Sequence, residues 1–296
     1  MATVYTEQAS NTRKTWFLMT MFLVIIVVLG YFISYYYNNP AILYIAVIFS
    51  LIMNIGSYWY SDKIVLSMSG AKEAKHDEYT ELYHIVENLS ITAGLPMPKV
   101  YIMNEAAPNA FATGRNKDHA VVAVTTGLLK ILNKSELEGV IAHELSHIGN
   151  KDILLQTVIV VLVGFVSILA NIFMRGGMGR GRDNDSKAGN IFAIVGIILV
   201  ILSPIFAKLI QLAISRKREF LADASAVLLT RYPEGLAGAL QKISGANIPM
   251  SNPNNATAHL FISNPFGGVT KKVSGLFDTH PPVEQRIKAI MGTQVL

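Results

Sequence analysis

Hydrophobic residues gather along this chain into four long blocks separated by stretches of mixed polarity. The first, residues 16–37, runs without a charge. As a helix it would be about 33 Å long, enough to cross the hydrocarbon core of a bilayer. Trp16 stands at one end and Tyr35, Tyr36 and Tyr37 at the other, where amphipathic rings favour a membrane interface. The second block, residues 41–60, follows Asn38-Asn39-Pro40, a link so short that the two helices must form a hairpin. The third and fourth, residues 153–174 and 191–214, predict a second hairpin. Arg13 and Lys14 precede the first block. Its apolar core is longer than that of a signal peptide and no small-x-small cleavage site follows, so it reads as an uncleaved anchor.

Between the hairpins the pattern changes. Leu82, Ile85, Val86 and Leu89 recur at helical spacing within residues 77–92, and Gly94 and Pro96 end that helix. Residues 99–103 and 119–124 read as short strands, with NAFATG (109–114) as the loop between them. Ser135 with Glu138 three residues on reads as a capping box opening the next helix. After the fourth block come a helix to about residue 229, another from Pro233, a Gly/Asn/Pro-rich loop near 252–255, and a last helix from Pro281. The expected fold class is mainly α and integral to the membrane, with four transmembrane helices in two hairpins plus a cytoplasmic α+β part holding a small sheet. Its divisions are a membrane hairpin (1–60), a cytoplasmic part (61–152), a second hairpin (153–214) and a second cytoplasmic part (215–296).

Composition agrees with a membrane protein. The chain is 51% apolar and 15% charged, against the roughly 25% charged of soluble domains. Its net charge of +5 does not point to nucleic acid, because the basic residues flank the apolar blocks instead of lining one helix face. Arg13 and Lys14 place the N-terminus inside the cell and residues 61–152 with it. Arg175, Arg180, Arg182 and Lys187 in the second hairpin loop run against that rule, and are outvoted by the basic residues of 61–152 and of the segment after Ile214. There is no cysteine, which excludes disulfides, thiolate metal sites and a cysteine nucleophile.

The helix before the third block carries HELSH, residues 143–147. His143 and His147 stand four apart, so their imidazoles leave one helix face and can share an ion. Two neutral imidazoles and a carboxylate suit zinc with one position left open. Glu144, one position round, suits a general base better than a ligand. The third ligand lies elsewhere, among Glu219, Asp223, His259, Asp278, His280 and Glu284. If the third and fourth blocks pair as a hairpin, His147 stands about 9 Å above one and Glu219 about 8 Å above the other, which makes them level. Asp223, four residues beyond Glu219, is placed to hold the second nitrogen of a ligating histidine.

HELSHIGNKD (143–152), SRKREFLAD (215–223), NAFATG and THPPVEQRI (279–287), with the two flanking hairpins, resemble the HtpX-like membrane zinc metalloproteases, relatives of the CaaX prenyl proteases. The resemblance covers essentially the whole chain. It implies one Zn2+ per chain held by His143, His147 and Glu219, with Glu144 as catalytic base. It also implies a multi-pass endopeptidase of the cell membrane, facing the cytoplasm and acting on damaged, unfolded or membrane-embedded proteins. Further candidates are Asn150 and Asp152 for positioning the site, and His280 or Arg286 for neutralising the oxyanion. Asn109, Phe111 and His119 are candidates for meeting an extended substrate, on the expectation that 119–124 is an edge strand. Two alternatives remain: a prenyl-protein protease, against which four spans without a larger chamber argue, and a non-proteolytic scaffold with structural zinc. Structural sites fill all four positions with protein groups, which a His-His-carboxylate set beside a glutamate does not.

Overall fold

The structure is a computed structural model, and it describes residues 4–162, 164, 216–254, 256–267 and 281–292. Half of the third expected span (163 and 165–174) and all of the fourth lie outside the described residues, as do Asp278 and His280.

The chain opens with α1 (Val4–Tyr37) and α2 (Ala41–Trp59), the two helices among the described residues that are long and apolar enough to cross a membrane. Trp16, Phe17 and Phe32 on α1 and Ile45, Ile48 and Ile52 on α2 face outward. Such an apolar surface needs lipid or protein to cover it. The helices approach closely at Gly30, where a Cβ would stand 2.3 Å from the Cβ of Ala46. Small residues at a crossing let backbones close up where no aqueous hydrophobic effect draws them together. α1 starts earlier than its apolar block, so residues 4–15 form a polar extension, about 18 Å of helix, projecting from the bilayer end.

A short helix α3 (Ser61–Met68) leads into the sheet and its helices. These are β1 (Lys72–Glu73), α4 (Thr80–Ala93), β2 (Lys99–Met103), β3 (Ala110–Gly114), β4 (Ala120–Thr125), α5 (Thr126–Ile131) and α6 (Lys134–Gly149). Then come α7 (Asp152–Leu162), α8 (Arg216–Thr230), α9 (Pro233–Ala246) and α10 (Val283–Met291). The strand order is β1-β2-β4-β3, with β2 and β4 parallel and the outer pairs antiparallel. NAFATG is therefore largely strand, not loop. Gly114 makes the reversal into β4 possible: its φ is 141°, and a Cβ there would meet the His119 carbonyl at 2.3 Å.

Alternation along the strands sorts the core into two. Val100, Ile102, Ala110, Ala112, Val122 and Val124 face α4, α6 and α9. Met103, Phe111, Val121 and Ala123 face the other way, onto Leu18 and Phe22 of α1, Val65 of α3 and Leu155 and Ile159 of α7. The sheet is thus a partition between the helices bearing HELSH and the membrane helices. β4 lies between β2 and β3 and has no open edge, which corrects the expectation for residues 119–124. His119 precedes it in an exposed turn.

Two local expectations shift. The cap of α6 is Asn133, whose side chain accepts from the Glu136 N–H at 2.9 Å while Glu136 accepts from the Asn133 N–H at 2.8 Å. Asn133-x-x-Glu136 satisfies the box two residues before Ser135, whose hydroxyl instead bonds Asn133. Nor does α6 run straight on into the third block. Lys151 takes a left-handed φ of 58°, and α7 leaves α6 at 85°. The height count from Ile153 assumed one continuous helix and does not hold.

Replacing Gly30 with Val should wedge α1 from α2 and destabilise the protein by about 1–3 kcal/mol. A lowered melting temperature in detergent, with the metal content kept, is the expected reading.

Candidate metal centre

α6 is a core helix, with Val140, Ile141, Ala142, Leu145 and Ile148 all buried. α8 packs along it and brings Arg218, Glu219 and Asp223 against His143, Glu144 and His147. The Nε2 atoms of the two histidines stand 3.2 Å apart, and Glu219 oxygens lie 3.8 Å from that of His143 and 3.7 Å from that of His147. Ligands at about 2.0–2.1 Å from a tetrahedral ion are themselves about 3.3 Å apart. His143, His147 and Glu219 are thus spaced as three corners around one ion, all mutually within 4.8 Å.

The far nitrogen of each ring fixes its aim. Nδ1 of His143 lies 2.9 Å from Asp223, and Nδ1 of His147 lies 3.0 Å from Asp152. With those nitrogens turned to carboxylates, the lone pairs of Nε2 are left for the metal. Asp223 is itself clamped by Arg286 of α10, whose Nε and Nη2 donate at 2.9 and 2.7 Å. Burial alone would raise the Asp223 pKa, but Arg286, through both bonds and its charge, together with His143, holds it below the usual carboxylate range. Arg286, 1% exposed, is correspondingly raised despite burial, by Asp223 and more weakly by Glu219 and Glu144.

Asp152 has a partner that the sequence did not reveal. Asn11, on the polar extension of α1 and 0% exposed, donates Nδ2 to Asp152 Oδ1 at 2.6 Å and accepts from Arg218 at 3.4 Å. Arg218 also lies 3.8 Å from Asp152. The elbow at Lys151 makes this possible. In a straight helix Asp152 would point about 140° away from His147; the bend swings it back. One cue was present: a lone Asn one turn before an apolar block, at a spacing that places it on the same helix face as Thr15 and Leu18.

Of the remaining candidates, Asn150 is the buried residue that caps the C-terminus of α6, and it contacts Asn11 through its carbonyl. Asn109 bridges to Ser263 through its amide. Phe111 is a core residue stacked edge-on against Phe261 at 5.3 Å. His119 is bonded to Arg115 and Asn116. His259 is buried and bonded to the Gln156 carbonyl, away from the cluster. His280 lies outside the described residues.

The buried group holds four carboxylates (Glu144, Asp152, Glu219 and Asp223) against two guanidiniums (Arg218 and Arg286). A dication would balance that deficit with both histidines neutral. Without it, burial opposes charging His147, yet the Asp152 bond and the charges of Glu219, Asp152 and Glu144 outweigh burial and push its pKa up to about 9. The donor set, its spacing and its charge all fit a divalent metal ion.

A membrane-associated protein in which HExxH and a distant glutamate converge on one metal position is a metalloendopeptidase. Residues 76–294 match the model of Peptidase family M48, and the chain belongs to that family. It is 47% identical over 295 residues to a Protease HtpX homolog from Caldanaerobacter subterraneus, covering 97% of each chain. It is 42% identical over 297 residues to a Protease HtpX homolog from Streptococcus gordonii, covering 97% of this chain and 99% of the other. Among solved structures, its fold is similar to that of Ste24p from S. mikatae, with a TM-score of 0.52 at 18% identity, covering 96% of this chain and 66% of that one.

Two outcomes follow from this geometry. Replacing Asn11 with Leu should weaken metal affinity by about 10–100-fold through Asp152 and His147, read by competition with a chromogenic chelator. Because the metal must displace the His147 proton, affinity should rise with pH, by about tenfold per unit between about pH 6 and 8. Titration at several pH values, with proton release followed in weak buffer, checks the sign.

Proposed function

We propose that the resident ion is zinc, held by His143, His147 and Glu219, and that Glu144 is the general base of peptide-bond hydrolysis. The observation that carries this is the approach of three ligand atoms from two distant segments to within 4.8 Å. Bound there, zinc would act as a Lewis acid, lowering the pKa of water to about 7 and polarising the scissile carbonyl. Glu144, beside His143 on α6 and 2% exposed, takes the water proton and returns it to the leaving amine. Asp223 and Asp152 keep both imidazoles in the ligating tautomer. Arg286 is committed to Asp223, which leaves His280 as the candidate for steadying the oxyanion. A substrate strand pairs with β3, the sheet edge nearest α6, and not with β4.

The setting we propose is the cell membrane, with four spans in two hairpins and the divisions 1–60, 61–152, 153–214 and 215–296. The N-terminus and both catalytic parts face the cytoplasm. Support comes from the apolar α1 and α2, from the basic residues flanking the spans, and from the polar end of α1 reaching the metal centre. A site so close to the bilayer suits unfolded or membrane-embedded protein substrates, as in quality control.

Glu144→Gln should keep the metal and lower cleavage of an unfolded protein by about 10²–10⁴-fold. Glu219→Ala should lose the metal altogether. A metal-replete Glu144→Gln protein cutting at the normal rate would remove Glu144 from the mechanism. Full zinc content in Glu219→Ala would move the third ligand elsewhere.

A further inference from the structure

A cavity of about 490 Å³ is lined in part by the α6–α7 elbow, without His143, His147 or Glu219. One wall is the polar end of α1, with Gln8, Thr12 and Thr15. Opposite are the β3–β4 turn, with Arg115 and Lys117, and the elbow itself, with Lys151. Ile148 and Leu154 add an apolar part to its lining. Three cations face it against one carboxylate, Asp118. Lys117 and Lys151 are exposed, and among the described residues neither is ion-paired.

Its level relative to the bilayer is fixed by two tryptophans. Thr15 immediately precedes Trp16, where the apolar block of α1 begins. Arg115 lies over the Trp59 ring at 4.6 Å and donates to the Trp59 carbonyl at 3.4 Å, at the end of α2. Indole rings favour the headgroup region. The cavity therefore sits where phospholipid phosphates sit, on the leaflet facing the metal centre.

We propose that this cavity binds the phosphate of an anionic phospholipid from that leaflet, between Lys117 and Lys151, with the start of its acyl chains along Ile148 and Leu154. The reading rests on α1 and α2 lying in the bilayer as proposed above. A neutral lipid fits less well, because its choline would bring a cation among cations. The bound headgroup ties three elements that otherwise meet through few bonds: the α1 extension, the β3–β4 turn and the elbow. Gln8 already donates to the Gly149 carbonyl at 2.7 Å, and Asn11, one turn on, holds Asp152. The lipid thus acts as a clamp on the helix that buttresses the metal centre.

The test uses the full-length, metal-loaded protein in detergent and native mass spectrometry. Phosphatidylglycerol and phosphatidylcholine of matched acyl chains are titrated against the native chain, against Lys117→Gln/Lys151→Gln, and against Lys75→Gln/Lys99→Gln. The last makes the same charge change on exposed positions elsewhere. The native chain and the Lys75/Lys99 variant should retain phosphatidylglycerol over phosphatidylcholine, and the Lys117/Lys151 variant should lose on the order of tenfold in that affinity. Inorganic phosphate should not displace the lipid. Equal retention of the two lipids by the native chain would overturn the proposal, and that arm needs no variant to fold. So would undiminished phosphatidylglycerol binding by the Lys117/Lys151 variant. Displacement by inorganic phosphate would make this a free-anion site and equally sink it.

Discussion

Burying four carboxylates beside two histidines is costly unless each charge is answered, and the arrangement of the metal centre follows from how that is done. Isolated charges in a protein interior carry desolvation penalties of several kcal/mol each. Here Arg286 answers Asp223, Arg218 and Asn11 answer Asp152, and the two aspartates answer the imidazoles. Glu144 and Glu219 lie in the same buried group, where their charges act on His147 and Arg286. The same pairs that make the cluster tolerable also aim the Nε2 atoms of His143 and His147. Stability and function draw on one set of contacts.

These answering groups come from across the chain. Arg286 arrives on α10, Arg218 on α8, and Asn11 on the end of the first membrane helix. The catalytic part is consequently not a soluble domain tethered to an anchor. The anchor supplies Asn11 behind Asp152 and His147, and the sheet that carries β3 is packed against α1 on its other face. The elbow at Lys151 serves both arrangements. It lets α6 lie in the core beside the sheet, sends α7 away at a steep angle, and turns Asp152 back on His147.

Much of this was legible in the sequence, for identifiable reasons. The hairpin of α1 and α2 follows from apolar length and a short polar link. α4, β2 and the helix from Pro233 are marked by periodicity and by Gly or Pro boundaries. Elements read less well where composition was neutral. NAFATG is small and polar enough to pass for a loop, yet its short side chains are what allow β3 to lie under α6. Asn133 and Ser135 both offer a capping pattern, and packing of Lys242 onto Glu136 favours the earlier one.

What the sequence determined alone is whatever depends on neighbours along the chain: two histidines four residues apart on one helix, a glutamate between them, and apolar runs long enough to span a bilayer. Helical geometry guarantees those relations before any folding occurs. Which distant carboxylate completes the site, where α6 breaks, which strand forms the sheet edge, and that Asn11 stands behind Asp152 were decided only in three dimensions. Contacts of this cluster join residues separated by as many as 207 positions, and they exist because buried charges must find partners wherever packing brings them.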